Sequence, residues 1–168
     1  MTPKELSKQL RQGQSADLSR RRAVAALSLT AAASMGLIAL YQLGLIKHLP
    51  EPPLSRFNGD KVDAAPEAYE LFSMPDAALG LGSYAATLAL AAMGGNDRAR
   101  ELSWVPLALA VKVGFDTLQA GRLTWDQWAK HKAFCFWCLL ASGATFATLP
   151  LVLPEARAAL RHLREQSS

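Results

Sequence analysis

Four long stretches of the chain are nearly free of charge, and short polar blocks separate them. They cover residues 23–46, 77–95, 102–118 and 133–153, and the last one ends at Pro154. In a soluble protein of this length, polar residues should recur at every turn on the outer face of each helix. A helix of about 20 apolar residues is long enough to cross the hydrocarbon core of a bilayer. The pattern therefore predicts an all-α fold, an integral membrane four-helix bundle.

Short connections between the runs predict an up-down bundle with both termini on one side of the membrane. Eleven Lys and Arg residues lie on that side, in the N-terminal segment, the 96–101 turn and the C-terminal tail. The other side has six: Lys47, Arg56, Lys61, Arg122, Lys130 and Lys132. Basic residues are enriched in cytoplasmic segments. Both termini are therefore predicted to be cytoplasmic, and linkers 47–76 and 119–132 to face the periplasm of a bacterial inner membrane.

The chain divides into a basic cytoplasmic leader (1–22), a transmembrane domain (23–153) and a basic cytoplasmic tail (154–168). A cleaved signal peptide is the alternative for the start of the chain, and Ser19-Arg20-Arg21-Arg22 resembles a twin-arginine signal. The first apolar run is longer than the apolar region of a signal peptide, and Ala31-Ala32-Ala33 is only a weak cleavage site. A retained membrane anchor is the favoured interpretation.

Charge and cysteine content narrow the function. The formal charge of +4 and the pI near 9.3 are compatible with nucleic-acid binding. However, the basic residues flank apolar runs and have no interleaved aromatic or reading-helix pattern, which argues against a nucleic-acid partner. The two cysteines are too few for a disulfide scaffold or a closed four-ligand zinc site.

Both cysteines lie in one motif, Cys135-Phe136-Trp137-Cys138, at the start of the last apolar run. A CxxC at a helix N-terminus places the two sulfurs on one face, and the positive helix end favours the thiolate that attacks in disulfide exchange. Lys130, His131 and Lys132 precede it and add positive charge. Two alternatives are a packing pair and a partial metal clamp.

Other polar residues interrupt the apolar runs. Lys112 and Asp116 are four apart and share a helix face, and we expect Lys112 to lie near the level of the cysteines. They form either a structural ion pair or a group that assists the dithiol or a bound electron acceptor. Asp76 and Gly80 recur at helical spacing on the second helix, and Ser142 follows Cys138 by one turn on the fourth. Such small and polar stripes serve helix packing or ligand contact.

These features resemble the vitamin K epoxide reductase family. Two segments carry the likeness: residues 133–140 around the CxxC, and residues 69–84 from Tyr69-Glu70-Leu71-Phe72 to Gly82-Ser83-Tyr84. The resemblance covers roughly residues 23–153. It implies a four-helix membrane bundle in which a quinone (ubiquinone or menaquinone) lies against the CxxC.

By this resemblance Cys138 is the sulfur next to the quinone, and Cys135 exchanges with an incoming disulfide or thiol. Asp76 stands where the family often places a residue that hydrogen-bonds the quinone carbonyl, and Ser142 stands at a pocket position. The chain departs from the family in its first outer loop. Many members have a second cysteine pair there, but this loop has Lys61, Val62 and Asp63 and no cysteine. Either the relay is absent, or a separate periplasmic thioredoxin-like protein reaches Cys135 directly, or the protein has diverged from disulfide chemistry.

Three functional hypotheses follow. The first is a membrane thiol–disulfide oxidoreductase that couples the CxxC to a quinone. The second is a non-enzymatic membrane subunit or assembly factor that retains the fold. The third is a metal-handling protein, which requires further ligands near the thiols, and among nearby residues only His131 qualifies on the sequence.

Overall fold

The computed structural model describes residues 2–167, and its regular secondary structure is helical. The helices are α1 (Pro3–Gln12), α2 (Ala16–Gln42), α3 (Gly59–Asp63), α4 (Asp76–Ala92), α5 (Arg98–Glu101), α6 (Trp104–Asp126) and α7 (Phe136–Gln166). Two 3-10 turns, Pro66–Tyr69 and Leu71–Ser73, lie in the α2–α4 loop (residues 43–75), and a π-helical turn, Gln127–His131, follows α6. The all-α prediction is confirmed.

The four long helices pack side by side. α2 lies between α4 and α7, and α6 packs against α7 and, less extensively, against α4. One core cluster joins Ile38 near the end of α2, Ala77 at the start of α4 and Cys135 just before α7. A second cluster joins Val24, in the N-terminal half of α2, to Val152, in the C-terminal half of α7. Successive long helices are therefore antiparallel, and the N-terminus of α2 and the C-terminus of α7 lie at the same end of the bundle.

Two of the four long helices, α2 and α7, have the length and apolar composition of a membrane span. α4 is apolar but has 17 residues, at the short limit for crossing a bilayer. α6 is less apolar because Lys112 and Asp116 lie in its middle. Insertion of all four helices, and the cytoplasmic side of the termini, stay predictions.

Two predicted boundaries are wrong. Residues 119–126, assigned to a linker, continue α6, because Gly121 is the only helix breaker in that stretch. The last helix does not end at Pro154 but continues through Pro150 and Pro154 to Gln166. Its final turns are held by tertiary contacts, since Ala159 is fully buried. The predicted C-terminal tail is thus continuous with α7.

Two of the arginines in the positive-inside count are buried. The Arg98 side chain has no exposed area, and its guanidinium donates to both carboxylate oxygens of Glu155 at 2.7 and 2.6 Å. Arg98 and Arg21 also donate to the last carbonyls of α4 and the turn after it, those of Leu90, Ala91, Met93, Gly94 and Gly95. These cations satisfy and electrostatically stabilise a helix C-terminus. They fasten α2, α5 and α7 to the end of α4.

Candidate functional site

The dithiol lies at the N-terminus of α7, as predicted. Cys135 is the N-cap residue, and the backbone N–H of Cys138 donates to Cys135 Sγ at 3.3 Å. Both cysteines are free thiols. Cys135 has no exposed area, whereas Cys138 is partly buried. The two sulfurs therefore lie close together at the first turn of α7, and of the two cysteines only Cys138 is partly exposed.

The α2–α4 loop covers Cys135. Glu51, in this loop, accepts two backbone N–H groups. Its Oε1 accepts that of Phe136 in α7 at 2.9 Å, and its Oε2 accepts that of Gly59 within the loop at 2.5 Å. The indole N–H of Trp137 donates to the Pro50 carbonyl at 2.8 Å. Any protein that attacks Cys135 must first displace this loop.

The backbone of the same loop also pairs with the segment just before α7. The Phe134 N–H donates to the Arg56 carbonyl at 2.8 Å, and the Asn58 N–H donates to the Phe134 carbonyl at 2.9 Å. From the other side, the buried Gln127 accepts the Cys135 N–H at 2.9 Å. The CxxC backbone is thus held by the π-helical turn after α6 and by the α2–α4 loop together.

Asp63, at the end of α3, reaches the dithiol from the loop. The Cys138 thiol donates to Asp63 Oδ1 at 3.3 Å, and the Asp63 residue is only 3% exposed. Its other oxygen, Oδ2, is buried and has no hydrogen-bond partner among the described residues. Burial raises the pKa of Asp63 from 3.8 to about 6, although hydrogen bonds from the two thiols act in the opposite direction.

The sequence alone did not identify Asp63 as a site residue. It is one of several acidic residues in the α2–α4 loop, and no motif distinguishes it from Asp60 or Glu67. Its contact with Cys138 spans 75 positions along the chain. A contact of this kind becomes visible only when the loop is seen folded over α7.

Asp76 lies at the cysteine end of the bundle, but its carboxylate is engaged. Gln42 Nε2 donates to Asp76 Oδ1 at 2.7 Å and to the Asp63 carbonyl at 3.1 Å. The Gln42 Oε1 atom accepts the Ala77 N–H at 3.3 Å. Gln42 therefore connects α2 to α4 and to α3, and Asp76 is one of its anchors.

Gly80 and Ser142 lie at helix–helix contacts. A Cβ atom on Gly80 would stand 2.9 Å from Met35 Sδ, so the glycine permits the close approach of α2 to α4. The Ser142 hydroxyl accepts a hydrogen bond from Thr124 at 3.3 Å, between α6 and α7. Of the two uses expected for these stripes, the structure displays packing.

Lys112 lies deeper in the bundle than expected. Its ammonium donates to the Asp116 carboxylate and, at 2.8 Å, to the Ser83 hydroxyl, which joins α6 to α4. Asp116 lines a small cavity together with Thr145. Thr145 lies seven residues beyond Cys138, which is about 10 Å of helix rise. Lys112 is one turn deeper still, so its expected position near the cysteines is wrong. The cause is the length of α6, whose end nearest the cysteines is at residue 126 rather than near 118.

Three side chains of the site carry donor atoms suited to a metal ion. The two Sγ atoms of Cys135 and Cys138 and a carboxylate oxygen of Asp63 all lie within 4.8 Å of one another. His131, the ligand considered from the sequence, is not in this group. Its backbone carbonyl accepts a hydrogen bond from Lys61 at 2.7 Å.

Comparison with known proteins gives one result that covers most of the chain. No curated protein and no solved structure matches the chain. The model of the vitamin K epoxide reductase family matches residues 22–153, a segment that includes the dithiol, Asp63 and all four long helices except the ends of α2 and α7. Because the match spans far more than half of the sequence, the chain belongs to the vitamin K epoxide reductase family, whose members are membrane thiol–disulfide oxidoreductases.

Proposed function

We propose that the protein is a quinone-linked thiol oxidoreductase of a bacterial inner membrane, with Cys135 and Cys138 as its redox pair. The observation that carries this proposal is the position of both thiols on the first turn of α7, inside the segment matched by the family. Backbone N–H groups at a helix start stabilise a thiolate, and the Cys138 N–H already donates to Cys135 Sγ.

Several of the residues that share a core cluster with Cys138 are apolar or aromatic. Met35, Leu81 and Trp137 are partly buried and pack on the same core cluster as Cys138. Ser142 offers a hydroxyl one turn along α7, and Asp76 lies at the same end of the bundle. A quinone bound there would accept the two electrons and two protons of the dithiol. The protein's contribution is to hold Cys138 at this apolar surface and Cys135 within reach of it.

Lys112 has no part in this proposal. Its ammonium is bound to Asp116 and Ser83, more than two helical turns deeper than Cys138. These contacts favour the structural alternative, an ion pair that joins α6 to α4. Such pairs satisfy charged groups inside a membrane bundle.

We further propose that a separate periplasmic thioredoxin-like protein delivers the electrons. A thiolate of the reduced partner attacks Cys135 Sγ, the Cys135–Cys138 disulfide breaks, and Cys138 leaves as the thiolate. The partner's second thiolate then resolves the mixed disulfide. Because Cys135 has no exposed area, this exchange requires the α2–α4 loop to release its hydrogen bonds to residues 134–137.

The test uses purified protein in detergent, a small dithiol as electron donor and a soluble quinone analogue. The wild type should reduce the quinone faster than the dithiol does alone, and Cys138→Ala should return the rate to that background. Cys135→Ala should have the same effect, because no disulfide can then form. If the double Cys→Ala variant reduces the quinone as fast as the wild type, the proposal is wrong.

The burial of Cys135 also favours the non-enzymatic alternative, a membrane subunit or assembly factor. Under that alternative the cysteines are dispensable and a stable protein complex co-purifies with the chain. Cys138→Ala distinguishes the two in cells. Its Cys135 thiolate can attack the disulfide of the oxidised partner, one partner thiolate leaves, and the mixed disulfide should accumulate because no Cys138 is present to displace the partner from Cys135. Failure to trap one, together with a co-purifying complex that survives loss of both cysteines, would favour the subunit.

A further inference from the structure

The Asp63 carboxylate is incompletely satisfied. Oδ1 accepts the Cys138 thiol, but Oδ2 is buried and has no partner among the described residues. A buried, unpartnered carboxylate oxygen is costly, and such groups in native structures often border an ion or an ordered water. This oxygen belongs to a side chain that is in contact with the dithiol.

The three donors have the spacing of a metal site. In a tetrahedral zinc site with metal–sulfur bonds of 2.3 Å, neighbouring sulfurs are about 3.8 Å apart and sulfur–oxygen pairs slightly closer. Here Cys138 Sγ is 3.3 Å from Asp63 Oδ1, and the three candidate donor atoms lie within 4.8 Å of one another. Small side-chain adjustments would bring all three to a common ion.

Charge balance favours a divalent ion. With Asp63 ionised and both thiols protonated, the site has a net charge of −1. A divalent cation bound with release of the two thiol protons leaves two thiolates, a carboxylate and the metal, again −1. The bound site thus adds no net charge to the interior, and the Cys138 N–H remains as a donor to the Cys135 thiolate.

We propose that the reduced dithiol and Asp63 form a three-ligand site for Zn²⁺, and that Zn²⁺ holds the protein in its reduced, inactive form. Zinc accepts sulfur and oxygen ligands together, whereas a carboxylate is a poor ligand for Cu(I). The ion enters on the side of Cys138, which is partly exposed. Both sulfurs are then bound to metal, so they cannot join in a disulfide. The inhibitory part rests on the proposed function, and the binding part does not.

Binding is tested with Co²⁺, a spectroscopic substitute for Zn²⁺. Reduced wild-type protein should take up one equivalent of Co²⁺ with thiolate-to-cobalt charge-transfer absorption, and Zn²⁺ should displace it. The oxidised protein should give no such absorption. Asp63→Asn should weaken Zn²⁺ binding at least about tenfold, because loss of even an outer-shell partner of a metal ligand costs about 10–100-fold and Asp63 is itself a proposed ligand. Asp60→Asn is the matched control, since Asp60 lies on the same short helix but bonds His48 and the Leu49 N–H.

Asp63→Glu, which keeps a carboxylate, should retain more affinity than Asp63→Asn and serves as the second variant if the amide does not fold. Absence of charge-transfer absorption in the reduced wild type, or equal affinity of wild type and Asp63→Asn, would overturn the site. Inhibition is measured separately, as quinone reduction with added Zn²⁺ and then with a chelator. If the chelated wild type reduces no quinone, the proposed function fails while the binding result stands.

Discussion

Replacement of Glu51 by alanine should expose Cys135. The Glu51 carboxylate accepts two backbone N–H groups, at 2.9 Å from Phe136 and at 2.5 Å from Gly59, and so fastens the α2–α4 loop to the start of α7. A hydrogen bond to a charged acceptor contributes about 1.5–3 kcal/mol, and we take the lower value because Glu51 is only half-buried. Only the Phe136 bond crosses from the loop to α7, so its loss lowers the free energy of loop opening by about 1.5 kcal/mol.

At about 1.4 kcal/mol per factor of ten, this change raises the open population roughly tenfold. The assay is the labelling rate of Cys135 by an uncharged maleimide, followed by mass spectrometry in a Cys138→Ala background. Because the closed loop leaves Cys135 with no exposed area, labelling proceeds through the open state and its rate follows the opening equilibrium. Glu51→Gln keeps one acceptor oxygen but not the charge. Its Cys135 labelling rate should lie between those of the wild type and of Glu51→Ala.

Glu67→Ala is the matched control, because Glu67 lies in the same loop with an exposed side chain. It should label at the wild-type rate. If Cys135 is labelled in Glu51→Ala at a rate within twofold of that in Glu67→Ala, Glu51 does not hold the α2–α4 loop over Cys135. The access route in the proposed exchange would then lie elsewhere.

Three further predictions concern stability, measured by unfolding in detergent. Glu155→Ala should lower the free energy of unfolding by about 3–5 kcal/mol, because it leaves the buried Arg98 without its carboxylate. Glu165→Ala, with an exposed side chain, should stay near the wild type. Equal effects of the two variants would refute this. Lys112→Met should destabilise the protein more than the double variant Lys112→Met/Asp116→Leu, because the single change leaves the Asp116 carboxylate unpaired in the bundle. A double variant whose loss of stability equals the sum of the two single losses would contradict this. In chelator, the free energy of unfolding should fall by about 2 kcal/mol as pH rises from 4 to 6, because the folded pKa of Asp63 is about 6 against an ordinary 3.8 and the folded state binds the proton more tightly. Asp63→Asn should flatten this fall.

The sign of the Asp63 effect has a functional meaning. Above pH 6 the folded protein keeps a buried carboxylate that destabilises it, and Asp63→Asn should therefore be more stable than the wild type at pH 7. Costs of this kind are typical of functional sites. A slope that persists unchanged in Asp63→Asn would assign the pH dependence to another group.

Local sequence patterns predict the helical class, the order of the long helices and the position of the CxxC. Hydropathy runs are properties of consecutive residues, so the helical class and the up-down order of the four long helices could be predicted from the sequence. The position of Cys135 and Cys138 at a helix start is equally local, because the motif spans a single turn. The helix ends were less predictable. α6 extends past residue 118 and α7 passes Pro154 because packing, such as the burial of Ala159, outweighs weak local signals.

Tertiary structure alone decided which residues surround the dithiol. Asp63 meets Cys138 across 75 positions, and Glu51 meets Phe136 across 85, from a loop whose acidic residues look alike in sequence. Lys112 shares a helix face with Asp116 as its spacing required, yet its depth depended on where α6 ends. Spacing along a chain fixes the face of a helix, whereas the partners across a bundle depend on how the helices and loops are placed against one another.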